Sequence, residues 1–197
     1  MDRKLLFFDT ETCGLSGKVN GMHQVSGIID VNGKTVDKFN FNMAPFEQDY
    51  VVAEALKTSH VTRDMIYNYP PPDEIHKKLL KIFDKHVNKY KKTDKFFMVA
   101  YNSNFDHDHL RNFWYKNEDK FFGSYFFIPD ICIMRYAARF LMSERNKLAN
   151  FKQGTVAQHL GIASLEDSRW HDAEFDTYVA REIYYYIEER VIWGKKY

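Results

Sequence analysis

Leu5-Leu6-Phe7-Phe8-Asp9-Thr10-Glu11-Thr12-Cys13-Gly14-Leu15 is the stretch on which the reading of this chain turns. An apolar run of buried-strand character meets a carboxylate at Asp9, and a second carboxylate follows at Glu11. A strand has a side-chain period of two, so Asp9 and Glu11 leave the backbone on one side while Thr10 is turned away. Like charges held that close repel, and a cation between them is the simplest remedy. Taken alone, the same pattern also fits a strand that ends at Asp9 with Glu11 as a solvated turn acid.

Working outward, Gly14, Ser16 and Gly17 mark a turn, and residues 23–31 read as a second strand. Asn32-Gly33 is a strong hairpin signal, and residues 35–42 return with Val36, Phe39 and Phe41 alternating against polar neighbours. Residues 44–68 loosen into short helical pieces, with 51–56 the clearest and Thr62 a cap for another. Pro70-Pro71-Pro72 launches a helix whose apolar stripe is Ile75, Leu79, Ile82, Phe83, Val87 and Tyr90. Lys77, Lys81, Lys85 and Lys89 line its other side as a solvated face, with phosphate contact as the alternative. Residues 96–100 form a wholly apolar strand of the kind covered on both faces. A helix opening at Asn104 or Asp106 follows, then a strand over 125–128 ending at Pro129-Asp130, with Asp130 capping a helix to Leu141. Residues 155–160 form a short helix ended by Gly161. The last helix, 173–191, turns Phe175, Tyr178, Val179, Glu182, Ile183, Tyr186 and Ile187 inward. Three antiparallel N-terminal strands followed by alternating helices and strands predict an α/β fold with a mixed central sheet and flanking helices.

The 197 residues fit one domain over 1–197, and 45% hydrophobic with 28% charged residues is an ordinary globular balance. A net charge of +1 excludes a protein that coats polyanions indiscriminately, though not an enzyme with local basic patches. Cys13 and Cys132 are too few for a disulfide scaffold or a cysteine-rich zinc site. No apolar run approaches the ~20 residues needed to cross a bilayer, and no signal segment is visible. The expectation is a soluble, cytoplasmic protein with no membrane partner. The tail at 193–197 is too short for a clamp- or polymerase-binding module.

Acids return at informative places. Asp106 lies just beyond the carboxyl end of the 96–100 strand, where open α/β sheets place their ligands. Phe105 would anchor that segment while Asp106 points outward. The last helix supplies His171 and Asp176, which on one helix would stand about 140° apart. His171 therefore works best in the loop before the helix. Asp172 shares a helical face with Asp176 and is a rival ligand, with capping its preferred role. Four carboxylates and a histidine are what a two-metal phosphoryl-transfer site requires, with Mg2+ or Mn2+ held by oxygen ligands and Asp9 placed to bridge. The histidine would take a proton from water.

Three segments carry a resemblance to a known family. They are Phe7-Phe8-Asp9-Thr10-Glu11-Thr12-Cys13-Gly14-Leu15, then Ala100-Tyr101-Asn102-Ser103-Asn104-Phe105-Asp106-His107-Asp108-His109-Leu110, then His171-Asp172-Ala173-Glu174-Phe175-Asp176. In that order they resemble the motifs of the DEDDh-type 3′→5′ exonucleases (proofreading and ribonuclease-T-like enzymes) of the ribonuclease-H-like superfamily. The resemblance implies that Asp9, Glu11 and Asp176 hold one ion, Asp9 and Asp106 a second, and His171 acts as general base. It further implies that backbone around Thr10 and Thr12 receives the terminal nucleotide, with Leu15 near its base and Asn102 near the scissile bond. His60 and Thr62 match a segment bordering that nucleotide. Phe105, Tyr101 and the aromatic run at 121–127 are candidates for stacking bases. Cys13 stands where relatives commonly carry threonine, so sensitivity to thiol reagents is expected.

The function implied is metal-dependent release of nucleoside 5′-monophosphates from nucleic-acid 3′ ends, on single-stranded DNA first of all. The alternatives are an oligoribonuclease-like RNA exonuclease and a non-catalytic nucleic-acid or polymerase-binding module. The implied partner is a single-stranded 3′ end; a DNA polymerase or replication complex and a homodimer are further partners the family admits.

Overall fold

The computed structural model describes residues 2–193 and puts the opening stretch at the centre of a five-stranded sheet. The strands are β1 (Lys4–Thr12), β2 (Met22–Val31), β3 (Lys34–Asn42), β4 (Phe96–Ala100) and β5 (Phe126–Cys132). Across the sheet they run β3-β2-β1-β4-β5, antiparallel from β3 to β1 and parallel from β1 to β5. This is the mixed sheet with three antiparallel N-terminal strands that the sequence led us to expect. Asn32 and Gly33 make the β2–β3 turn with φ of 53° and 82°, the left-handed pair this dipeptide favours.

The helices are α1 (Ala53–Thr58), α2 (Arg63–Tyr67), α3 (Pro72–His86), α4 (Ser103–Lys116), α5 (Phe122–Tyr125), α6 (Ile133–Phe140), α7 (Gln153–His159) and α8 (Ala173–Trp193), with a 3₁₀ turn at Met142–Lys147. Alternation along β1 divides them into two layers. Leu6 and Phe8 pack with Ile75, Leu79 and Phe83 of α3 and Leu110, Phe113 and Trp114 of α4. Leu5 and Phe7 pack on the opposite face with Ile133 and Ala137 of α6 and Phe175, Val179, Ile183 and Ile187 of α8. Phe83 is fully buried among the rings of Phe39, Phe96, Trp114, Tyr125 and Phe126. A β1 covered on both faces reads as a continuous apolar run for this reason.

Several boundaries differ from the sequence reading. β5 begins at Phe126 and runs through Pro129 to Cys132, because an edge strand tolerates a missing N–H. Cys132, not Asp130, then occupies the N-cap of α6. α4 starts at Ser103, ahead of both expected positions, with Asn102 at its N-cap in a left-handed conformation (φ 61°). Tyr90 is 88% exposed because α3 ends at His86, before the apolar stripe reaches it. On α8, Tyr178 is exposed and Ala180 and Tyr184 turn inward, following the rows through Phe175 and Asp176. Among the described residues no helix is long and apolar enough to cross a membrane. The reading of the tail falls, beyond Trp193, outside the described residues.

One polar tie fixes α8 across the sheet. Asp30 of β2 is wholly buried and accepts from Arg181 Nε at 2.9 Å, Tyr185 Oη at 2.8 Å and Thr35 Oγ1 at 2.8 Å. Removing the guanidinium leaves a buried carboxylate short of its charge partner. Arg181→Ala is expected to cost ~2–3 kcal/mol in urea unfolding, reduced from the fully buried case because the arginine is partly solvated. A loss below ~0.5 kcal/mol would remove this tie from the account of how α8 is placed.

Candidate active site

The two cores deliver acids to one end of β1 from both faces. The row Leu5, Phe7 continues as Asp9 and Glu11 on the α8 side, while Leu6, Phe8 continues as Thr10 on the α4 side. A register shift between Glu11 and Thr12 ends the regular pairing with β2 there, a bulge beside the site. On the α4 side, Asp106 sits in the first turn of the helix and its Oδ1 accepts from Thr10 N at 3.1 Å and Thr10 Oγ1 at 2.8 Å. This reverses the expected orientation of the pair: Asp106 is buried and Phe105, half-buried, lines the cavity. The earlier start of α4 is the cause, since it turns Asp106 toward the strand end.

From the other face, the start of α8 is held by three bonds. Asp172 Oδ1 caps it, accepting from Glu174 N at 2.8 Å, while Ala173 N donates to Gln24 Oε1 at 3.2 Å and Gln153 Nε2 to Asp176 O at 2.7 Å. Asp172 is thus a cap, as preferred, and Asp176 faces the end of β1. His171 lies in the preceding loop with φ 67°, and its N–H donates to Asp176 Oδ2 at 3.2 Å. Ser59, the C-cap of α1, completes the set by donating its hydroxyl to Glu11 Oε2. Nothing in the sequence around Ser59 signals this partnership, which spans 48 residues.

One oxygen on each of three acids is therefore engaged by a protein donor: Asp106 Oδ1, Glu11 Oε2 and Asp176 Oδ2. Asp176 Oδ1 is buried and has no hydrogen-bond partner among the described residues. Ligand atoms of Glu11, His171 and Asp176 all lie within 4.8 Å of one another. Asp9 and Asp106 line the same cavity, of about 790 Å3. Burial, reinforced by the neighbouring Asp106, Asp176 and Glu11, holds the Asp9 carboxyl well above the usual range. Burial pushes Glu11 up to about 8 and both Asp106 and Asp176 up to about 7. An orphaned oxygen and four acids that resist ionisation together suit hard divalent cations that take oxygen ligands, such as Mg2+ or Mn2+. His171 moves the other way: burial, with His60 and Lys152 nearby, lowers its pKa.

The cavity rim is apolar. Leu15 is 88% exposed there, joined by Val19 and Tyr50, neither of which the sequence singled out, and Thr10, Thr12 and Tyr101 also line the wall. His60 lies in a smaller adjoining cleft of about 280 Å3 that shares Ser59 and His171 with the cavity. Thr62 caps α2, accepting from Met65 N at 3.2 Å, and Asn102 is exposed at the start of α4; neither lines the cavity. Lys77, Lys85 and Lys89 pair with Asp73, Asp37 and Asp84 on an outer face away from it. The surroundings of Cys13 oppose the thiol sensitivity expected of it. Cys13 is fully buried, and burial pushes its thiol up to about 12.

Comparison with known proteins follows the same lines. The family model RNase_T, described as an exonuclease, matches residues 6–184. No curated protein matches the chain. Among solved structures it is similar to E. coli exonuclease I in complex with a dT13 oligonucleotide, at TM-score 0.73 and 19% identity over 95% of this chain and 41% of that one. It is similar also to the zinc-bound E. coli exonuclease I–single-stranded DNA complex, at 0.73 and 19% over 96% and 41%. Exonuclease I of Methylocaldum szegediense follows, at 0.72 and 18% over 98% and 41%. The chain thus spans about two fifths of the length of these proteins.

The raised carboxyl pKa values fix a sign for stability. Between about pH 4, where unfolded carboxyls ionise, and the folded values, these acids hold more protons in the native state, so their contribution to stability falls as pH rises. His23, His76, His109 and His171, with lowered pKa values, oppose this only below about pH 6.5. In metal-free buffer the melting temperature is expected to fall from about pH 6.5 to pH 8, where the histidines are neutral in both states. Asp176→Asn should raise it at pH 8 by several degrees, at about 2–4 °C per kcal/mol. A melting temperature that climbs over this range would contradict the electrostatic reading of the cluster.

Proposed function

The chain belongs to the RNase_T exonuclease family, and from that membership we propose that it removes nucleoside 5′-monophosphates one at a time from nucleic-acid 3′ ends, with single-stranded DNA as the preferred substrate. Residues 1–197 act in this reading as one exonuclease domain. The observation that carries it is the meeting of Asp9, Glu11, Asp106, His171 and Asp176 in one open cavity with an apolar rim. E. coli exonuclease I, whose fold the chain shares, has been solved with single-stranded oligonucleotides, which favours the same substrate class.

Each group has a task in this reading. Asp9, Glu11, Asp106 and Asp176 hold two divalent cations, Mg2+ or Mn2+. When bound, such ions acidify water and stabilise charge on the departing 3′-oxygen. His171, largely neutral at pH 7 because its pKa is lowered, accepts the proton from the attacking water. A ring nitrogen of His171 lies within 4.8 Å of ligand atoms of Glu11 and Asp176, while its backbone N–H donates to Asp176 Oδ2. Thr10 fixes Asp106 through two bonds, a role beyond the nucleotide contact its backbone was assigned. Leu15, Val19 and Tyr50 stack the terminal nucleobase, while Thr12 and Phe105 line the space for its sugar and phosphate. Stacking of this kind tolerates any base, since every base offers a π-face.

The test is a product assay on 5′- and 3′-labelled DNA and RNA oligonucleotides with and without Mn2+. Stepwise shortening from the 3′ end that needs the metal is the expected result; endonucleolytic fragments or 5′→3′ products would overturn the proposal. Asp106→Ala should lower turnover by about three orders of magnitude, ~4 kcal/mol of transition-state stabilisation, with the fold intact by circular dichroism. Tyr50→Ala should instead raise KM about 5- to 100-fold and leave kcat near wild type. A change confined to kcat would remove Tyr50 from the base-binding rim.

A further inference from the structure

We propose that Ser59 is a positioning residue that sets the Glu11 carboxylate for a divalent cation and fastens it to the wall of the nucleotide cavity. The proposal rests on reading the acid cluster as a cation site. Its basis is a single long-range bond from the loop that follows α1. Ser59 Oγ donates to Glu11 Oε2 across 48 residues, and Glu11 is 8% exposed. The terminal torsion of a glutamate is soft, so an unanchored carboxylate would rotate among orientations. Holding one oxygen fixes the plane of a carboxylate that has an oxygen within 4.8 Å of ligand atoms of His171 and Asp176.

The loop that presents Ser59 is itself held. Val61 N donates to Leu56 O at 3.1 Å, and Arg63 reaches back to Val51 O at 2.6 Å. Val61 packs against the small core of Cys13, Val51, Leu56 and Ile66. His60 takes a left-handed conformation, φ 56°, so the chain turns sharply just after Ser59. The same α1 segment lines the cavity with Glu54, Ala55 and Thr58. A nucleotide against that wall and a cation on Glu11 would therefore meet one continuous piece of chain.

The experiment is a Mn2+ titration followed by thermal melting, without substrate, on wild type, Ser59→Ala and Ser59→Thr, with Mn2+ dependence of turnover measured in parallel. Ser59→Ala is expected to melt like wild type without metal and to need about tenfold more Mn2+ for half the thermal shift and half-maximal rate. Ser59→Thr, which keeps the donor, should restore the midpoint to within about threefold of wild type. Equal Mn2+ midpoints in wild type and Ser59→Ala would overturn the role of Ser59 while leaving the cation site standing. A wild-type protein whose melting ignores Mn2+ would overturn the cation reading and this assignment with it. Should Ser59→Ala melt early without metal, the comparison passes to Ser59→Thr, and a midpoint raised there as well overturns the assignment.

Discussion

The burial of four carboxyl groups together, Asp9, Glu11, Asp106 and Asp176, is the constraint around which this molecule is arranged. Burial and neighbouring charge raise the pKa of every one of them, so the cluster sits against its own electrostatics at neutral pH. Proteins keep such groups together where a function uses the stored unfavourable charge. The unpartnered Asp176 Oδ1 marks where neutralising charge would be most effective.

Holding four acids together in so buried a place takes packing from both sides of β1. The aromatic layer around Phe83 and Trp114 seats α4, and with it Asp106. The opposite layer and the Asp30–Arg181–Tyr185 tie seat α8, and with it Asp176. Hydroxyl and amide donors then finish the orientation: Thr10 on Asp106, Ser59 on Glu11, and the His171 N–H on Asp176. Long-range hydrophobic contact sets position, and short hydrogen bonds set angle.

How much of this the sequence reveals follows from the range of each interaction. The Asp9–Glu11 pair, the Asn32–Gly33 turn and the proline start of α3 are local and were legible. So was the Asp172 cap, because its bonds reach only two and three residues ahead. The extent of β5 past Pro129 is not legible in the sequence, since only the sheet order reveals that this strand lies at an edge. Ser59 and the side-chain role of Thr10 were invisible because their partners lie 48 and 96 residues away. Val19 and Tyr50 carried no signal either: a lone exposed apolar residue is commonplace, and only the fold shows them sharing a rim with Leu15. Cys13 illustrates the converse, a residue whose position beside the motif suggested reactivity that complete burial removes.

The most direct measurement is anomalous diffraction from crystals soaked in Mn2+. Peaks between Asp9 and its three acidic neighbours are the expected result, with one in contact with Asp176 Oδ1. A map of saturating Mn2+ with no anomalous density at the cluster would contradict the claim that these acids converge to bind cations.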